Sequence, residues 1–156
     1  MRSAGRISRR LRELGEYTYR LSLCIRHADA DLSAIPEKLG LPPDSIWKKG
    51  DLSIAPNGRV IGGVRPSSAC SIQFGKDYEN GLPGGLKAAL AILKPHQEFI
   101  CGLAATGVEL SFFIGWFSDF NSRDVLDWAT LRDLADLHIS LDLDFYAPDQ
   151  VGQDSK

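Results

Sequence analysis

Two aspartates near the C-terminal end, Asp142 and Asp144, are the best-spaced pair for chemistry in this sequence. On a strand, residues two apart share a face and stand about 7 Å apart. Such a pair could hold a divalent cation or divide the roles of acid and base. Only Asp149 stands nearby as a third carboxylate, and alternating aspartates are also ordinary on a solvated sheet face, so no metal is expected. Cys24 with His138 is the candidate nucleophile and base, provided their strands are neighbours. His27, three residues after Cys24, would fall on the opposite face of the same strand. Gly81-Leu82-Pro83-Gly84-Gly85 opens a helix as anion-binding starts do, but lacks the lysine and hydroxyl of a phosphate loop. Its plainer role is to turn the chain. Lys48-Lys49-Gly50 could touch phosphate and is more simply a solvated turn.

These residues need elements to place them. Residues 17–27 alternate, with Tyr17, Tyr19, Leu21, Leu23 and Ile25 on one side and Thr18, Arg20, Ser22, Cys24 and Arg26 on the other, which is a half-buried strand. A short helix over 32–41 follows, capped by Asp31 or Ser33 and stopped by Gly40. Pro42-Pro43-Asp44, the loop at 47–51 and Pro56-Asn57-Gly58 are turns. An extended region over 59–74 is interrupted by Gly62-Gly63 and Pro66, so it is bulged or lies at an edge. Residues 82–106 read as a helix in two pieces joined at Pro95. A third strand over 108–117 turns Val108, Leu110, Phe112, Ile114 and Trp116 inward and Glu109, Ser111, Phe113 and Phe117 outward. Ser122 is expected to cap a helix reaching Leu137, with Val125, Trp128, Leu131, Leu134 and Ala135 as its buried stripe. The last strand, 139–146, puts Ile139, Leu141, Leu143 and Phe145 in and Ser140, Asp142, Asp144 and Tyr146 out. Tyr19, Trp47, Trp116 and Trp128 are expected core anchors. The fold class is α+β: an antiparallel sheet of about four strands with helices on one face, in a ferredoxin-like arrangement of β-α-β, a helical connection, then β-α-β.

Composition bounds the function classes. At 156 residues, 44% hydrophobic and 24% charged, the chain has the values of a single globular domain. No apolar run approaches a membrane span. Cys24, Cys70 and Cys101 are odd in number and lack metal-ligand spacing, so they read as buried, unpaired thiols in a reducing cytoplasm. Residues 1–16 carry five arginines against Glu13 and Glu16, a net +3, and are expected to form a frayed basic arm; an organellar transit peptide has similar composition. The domain spans 17–148 and a tail follows at 149–156. From Asp119 onward nine acids face Arg123, Arg132 and Lys156, a local −6. That balance disfavours nucleic acid as a partner and suits a basic protein.

Three features come together in a family resemblance. They are Leu39-Gly40-Leu41-Pro42-Pro43-Asp44 running into Trp47-Lys48-Lys49-Gly50-Asp51, the Gly62-Gly63 pair, and a terminal helix followed by a strand ending Asp144-Phe145-Tyr146. The chain resembles the bacterial domain-of-unknown-function family four-two-seven-nine from about residue 17 to 148. It departs from that pattern at Val64-Arg65-Pro66, where an aromatic residue is expected, which bears on the second extended region. The resemblance implies a compact α+β domain and no assigned activity.

The residues lean away from catalysis. The leading expectation is a non-enzymatic protein-binding module, immunity-type or similar, using no cofactor. Asp142, Asp144, Phe113 and Phe117 would form its contact surface for a basic partner. The alternatives are a small hydrolase-like or metal-dependent enzyme acting through Asp142 and Asp144 or Cys24 and His138, and a homodimer packed through the faces carrying Phe113 and Phe117.

Overall fold

The computed structural model describes residues 17–75 and 80–146. The basic segment 1–16 and the tail 149–156, with Asp149, lie outside the described residues.

Strand β1 (Thr18–His27) is the middle strand of a five-stranded sheet. Its neighbours are β5 (Ser68–Gln73) and β6 (Glu109–Phe117), both antiparallel to it. Beyond them lie β2 (Ser45–Trp47) on β5 and β7 (Ile139–Tyr146) on β6, giving the order β2-β5-β1-β6-β7. The remaining strands, β3 (Leu52–Ile54) and β4 (Val60–Val64), pair only with each other. The extended region expected over 59–74 is thus two strands, broken at Arg65-Pro66-Ser67, where a proline cannot donate to a ladder.

The expected sheet is corrected in strand number and direction, and the order β2-β5-β1-β6-β7 is not the ferredoxin-like arrangement. β7 runs parallel to β6, so the five-stranded sheet is mixed, not an all-antiparallel sheet of four strands. The cause is the connection. β6 leads through α4 (Trp128–Asp136) into β7, and a crossover that carries a helix returns the chain in the same direction.

Helices line one face. α1 (Ala34–Leu39) ends at Gly40, whose φ of 68° suits the left-handed stop. α2 (Gly81–Leu93) and α3 (Gln97–Ala105) are joined by a 3-10 turn at Lys94–His96, where Pro95 cannot donate to a continuous ladder. The core forms between these helices and the inner residues of the strands: Tyr19, Leu21, Leu23 and Ile25 from β1, Leu110, Phe112 and Ile114 from β6, Leu86, Leu90 and Leu93 from α2, and Ile100 from α3. Each such side chain fully withdrawn from water contributes about 1.5 to 3 kcal/mol.

The C-terminal third departs most from expectation. Residues 121–127 are not helical, and Ser122 accepts a hydrogen bond from Trp116 Nε1 (2.7 Å) where a cap was expected. The cap is Asp127, whose Oδ1 accepts from Thr130 N and Thr130 Oγ1, both at 2.8 Å. α4 buries Thr130 and Leu134 but leaves Trp128, Leu131 and Ala135 exposed, Trp128 by 75%, and Val125, before the helix, is exposed as well. On β7, Leu143 and Phe145 are exposed as well, because β7 is the last strand of the sheet. Trp128 is therefore no core anchor. Trp47 is half-buried apart from the core, whereas Tyr19 lies within it and Trp116 packs against it. Of the thiols only Cys70 is buried; Cys24 and Cys101 are half-buried, and all three are free.

Candidate functional site

Strand alternation gives the sheet a second face, on which no helix of the described residues packs, and register puts its residues in rows. Ser45, Ser71, Cys24, Ser111 and Ser140 line up across β2, β5, β1, β6 and β7. The next row is Gln73, Ser22, Phe113 and Asp142; the one after it is Arg20, Gly115 and Asp144. The face carries small polar side chains across the sheet, with larger groups along one side.

That side carries all four residues expected at a contact surface. Phe113 and Asp142 are register partners, as are Phe117 and Tyr146. Phe117 stacks on Tyr146 with ring centroids 4.5 Å apart and planes within 9°, and the Arg20 guanidinium lies 5.6 Å from the Phe117 centroid. Gly115 makes the stack fit, since a Cβ there would sit 3.2 Å from Phe117 Cε2 and 3.5 Å from Tyr146 Cε2. Asp144 takes a hydrogen bond from the Tyr146 hydroxyl, and that bond raises the phenol's pKa. Phe113 and Phe117 are half-buried, so they are components of a packed surface and not bare aromatics. The apolar exposure lies elsewhere.

The Cys24–His138 pairing does not assemble, whereas Asp142 and Asp144 share the outer face of β7. β6 stands between the strand of Cys24 and β7, and His138 precedes Ser140, the β7 residue in Cys24's row, by two positions. Burial pushes the Cys24 thiol up, against the opposing pull of Arg26, which is the wrong direction for a nucleophile. His27 Nδ1 accepts the backbone N–H groups of Asp29 (3.1 Å) and Ala30 (2.8 Å), so it closes the turn after β1. At the start of α2, Tyr17 Oη accepts from Leu82 N (2.8 Å) and donates to Asp124, which satisfies the helix end internally. Among the described residues no group of three His, Cys, Asp or Glu side chains could hold a metal ion.

The loop at 47–51 has a structural account. Lys48 N donates to Asp51 Oδ2 (2.7 Å), Asp51 N donates to Lys48 O (3.0 Å), and Gly50 takes φ 91°. The turn is tied to the start of β5 by Lys49 N to Ser68 Oγ (3.0 Å) and to Arg65 by Gly50 N to Arg65 O (2.9 Å). Arg65, at the departure from the expected pattern, lays its guanidinium 4.2 Å over the Trp47 ring, and its buried Nε has no hydrogen-bond partner among the described residues.

From this turn a ribbon projects: β3, a turn at Ala55-Pro56-Asn57-Gly58, and β4. Ala55 N donates to Arg59 O (2.8 Å) and Gly58 N to Ala55 O (2.8 Å). Leu52 faces Val64 and Ile54 faces Val60, so the four share one side of the ribbon, and every one is more than half exposed. Gly62 and Gly63, both at positive φ, absorb the register shift between the pairs. We call this ribbon the arm. Sequence reasoning missed it, although Leu52-Ser53-Ile54 and Val60-Ile61 flanking a Pro-Asn-Gly turn carry a hairpin signal.

A second apolar surface lies at the opposite edge of the sheet. Asp133 of α4 reaches Lys94 beyond the end of α2 (2.7 Å). Leu131, two positions earlier, points to the other flank at 3.6 residues per turn, and Trp128 lies three positions before it on that same flank. α2 packs over β1 and α4 over β7, so this flank looks past the sheet's last strand. Leu143 and Phe145, on the side of β7 that pairs with Ile114 and Trp116, are exposed at the same edge.

The family described as domain of unknown function (DUF4279) matches residues 16–148, and the chain belongs to it. No curated protein and no solved structure matches the chain.

Proposed function

We propose that this member of a family without assigned function is a non-catalytic protein-binding module. The observation that carries the reading is the arm: Leu52, Ile54, Val60 and Val64 stand more than half exposed on one side of a ribbon that adds nothing to the core. Apolar side chains grouped this way on a surface mark an interaction site. The helix-free face supports the same reading, because Asp142 is open and Asp144 sits beside the Phe117–Tyr146 stack. In its most specific form the reading is immunity-type, with a basic protein held against the acidic side of the domain.

The test is crosslinking and affinity capture of the full chain from its native cell, beside Leu52→Ser/Ile54→Ser and Asp142→Asn/Asp144→Asn variants whose folding is checked by circular dichroism. Capture of a protein that the arm variant loses supports the reading. Weaker capture by the aspartate variant, with an effect that fades as salt rises, supports the basic-partner form. Identical capture by all three chains, with no crosslink from the arm, overturns it.

A further inference from the structure

The two exposed apolar surfaces differ in charge. Residues 48–65, the arm and its root, hold Lys48, Lys49, Arg59 and Arg65 against Asp51, a net +3 that the pairing of Lys48 with Asp31 lowers to +2. Residues 119–146, which build the α4–β7 edge, hold seven aspartates against Arg123 and Arg132, a net −5 that the pairing of Asp127 with Lys87 and of Asp133 with Lys94 lowers to −3. Both surfaces are aliphatic or aromatic at their centres and charged around them, with opposite signs. A contact between them would bury apolar groups while pairing the surrounding charges.

They cannot meet within one molecule. The arm rises from the β2–β5 end of the sheet and the other surface lies beyond β7, with β1 and β6 between. At about 4.8 Å per strand the edges are roughly 19 Å apart, and the sheet itself intervenes. A second copy of the chain supplies both complements at once.

We infer that the aliphatic side of the arm docks on the α4–β7 edge of a second copy of this chain. Leu52, Ile54, Val60 and Val64 of one copy cover Trp128, Leu131, Leu143 and Phe145 of the other, and the basic arm lies against its aspartates. The contact joins two different surfaces, so it closes as a reciprocal pair or continues from copy to copy. The inference rests on the protein-binding reading and names its partner.

The experiment is sedimentation velocity of the purified full chain over a concentration and salt series, with Ile54→Asp for the arm and Trp128→Asp for the edge. Both positions are exposed, and each variant's thermal melt is compared with the parent's. Association of the parent that weakens with salt, and at least about a tenfold weakening by each substitution alone, is the expected result. The deciding step is to mix the two variants. A copy with Trp128→Asp keeps its arm and a copy with Ile54→Asp keeps its edge, so the mixture regains one intact contact and forms 1:1 pairs. Association retained by Trp128→Asp alone would mean that arms pair with arms, and overturns the inference. A parent that stays monomeric at its highest soluble concentration overturns it too. If that monomer still captures another protein through its arm, the binding reading stands while the choice of partner falls. If arm and edge substitutions change neither association nor capture, both fall. Should Ile54→Asp fail to fold, Arg59→Glu at the turn tests the same contact by charge reversal, and an unchanged association constant overturns the inference.

Discussion

Tyr17 shows what a single side chain does here. Its hydroxyl accepts from Leu82 N at the start of α2 and donates to Asp124 in the segment before α4, while its ring stacks on Trp116 at 3.8 Å. One phenol thus ties β1, α2 and the 121–127 segment. Tyr17→Phe keeps the stack and loses both hydrogen bonds, for an expected cost of about 1 kcal/mol, at the low end because the site is partly exposed. Burial, followed by the bond to Asp124, pushes this phenol well above its ordinary value. The folded state therefore favours the protonated form. The resulting stability is present below about pH 10, the unfolded value, and is lost as pH rises beyond it. Urea melts of both proteins from pH 8 to 11 should show their difference shrinking above pH 10. A difference that holds constant or grows would remove this linkage. Nothing in the sequence exposed this role, because Tyr17 and Asp124 are 107 positions apart and the periodicity of 17–27 marks Tyr17 only as inward.

Period-2 alternation located β1, β6 and β7, since a strand with one covered face alternates wherever it lies in a sheet. It could not say which strands were neighbours, and so missed the parallel pairing. Helical periodicity failed over 122–137 for a different reason. Val125, Trp128 and Leu131 have helical spacing, yet the helix begins only at Trp128 and its buried side is set by Thr130 and Leu134. An apolar stripe facing outward reads the same as one facing inward. Helix-to-sheet packing also turns on glycines whose purpose only the fold reveals. Gly85 lets α2 lie on β1: a Cβ there would stand 2.2 Å from Tyr19 Oη and 3.0 Å from its Cζ, and the Tyr19 ring is buried and unable to move aside. Gly102, in α3, has nothing within 4 Å of the same added carbon. Gly85→Ala should destabilise by about 1 to 3 kcal/mol through overpacking. Gly102→Ala should stabilise by about 0.5 to 1 kcal/mol, because alanine favours an exposed helix interior. Chemical denaturation of the pair checks both signs together, and equal effects would mean that α2 is not held against β1 at Gly85.

At the scale of the molecule, the arm is the part the fold does not need. Its large aliphatic side chains, Leu52, Ile54, Val60, Ile61 and Val64, lie outside the core, and a two-stranded ribbon by itself is at best marginally stable in water. The fold also offers a place to cut. Arg65 N donates to Asp51 O at 2.8 Å, so these residues already face each other as the last pair before the ribbon. Replacing residues 52–64 with Asn-Gly joins them through a two-residue loop, and Asn-Gly supplies the positive φ values that such a hairpin turn requires. The turn at 48–51 and the Arg65–Trp47 contact lie on the retained side of the cut. The shortened chain should fold with an unfolding free energy within about 1 kcal/mol of the parent, since it loses exposed surface and no core contact. It should also lose self-association entirely, with heat-induced aggregation falling as the exposed apolar patch goes. Thermal and urea melts, with sedimentation of the folded product, measure both. A shortened chain that cannot fold would make the arm part of the scaffold, and its exposed aliphatic side chains would then need a structural explanation in place of a partner. A folded monomer derived from an associating parent would leave binding as the reason for Leu52, Ile54, Val60 and Val64 to stand in water.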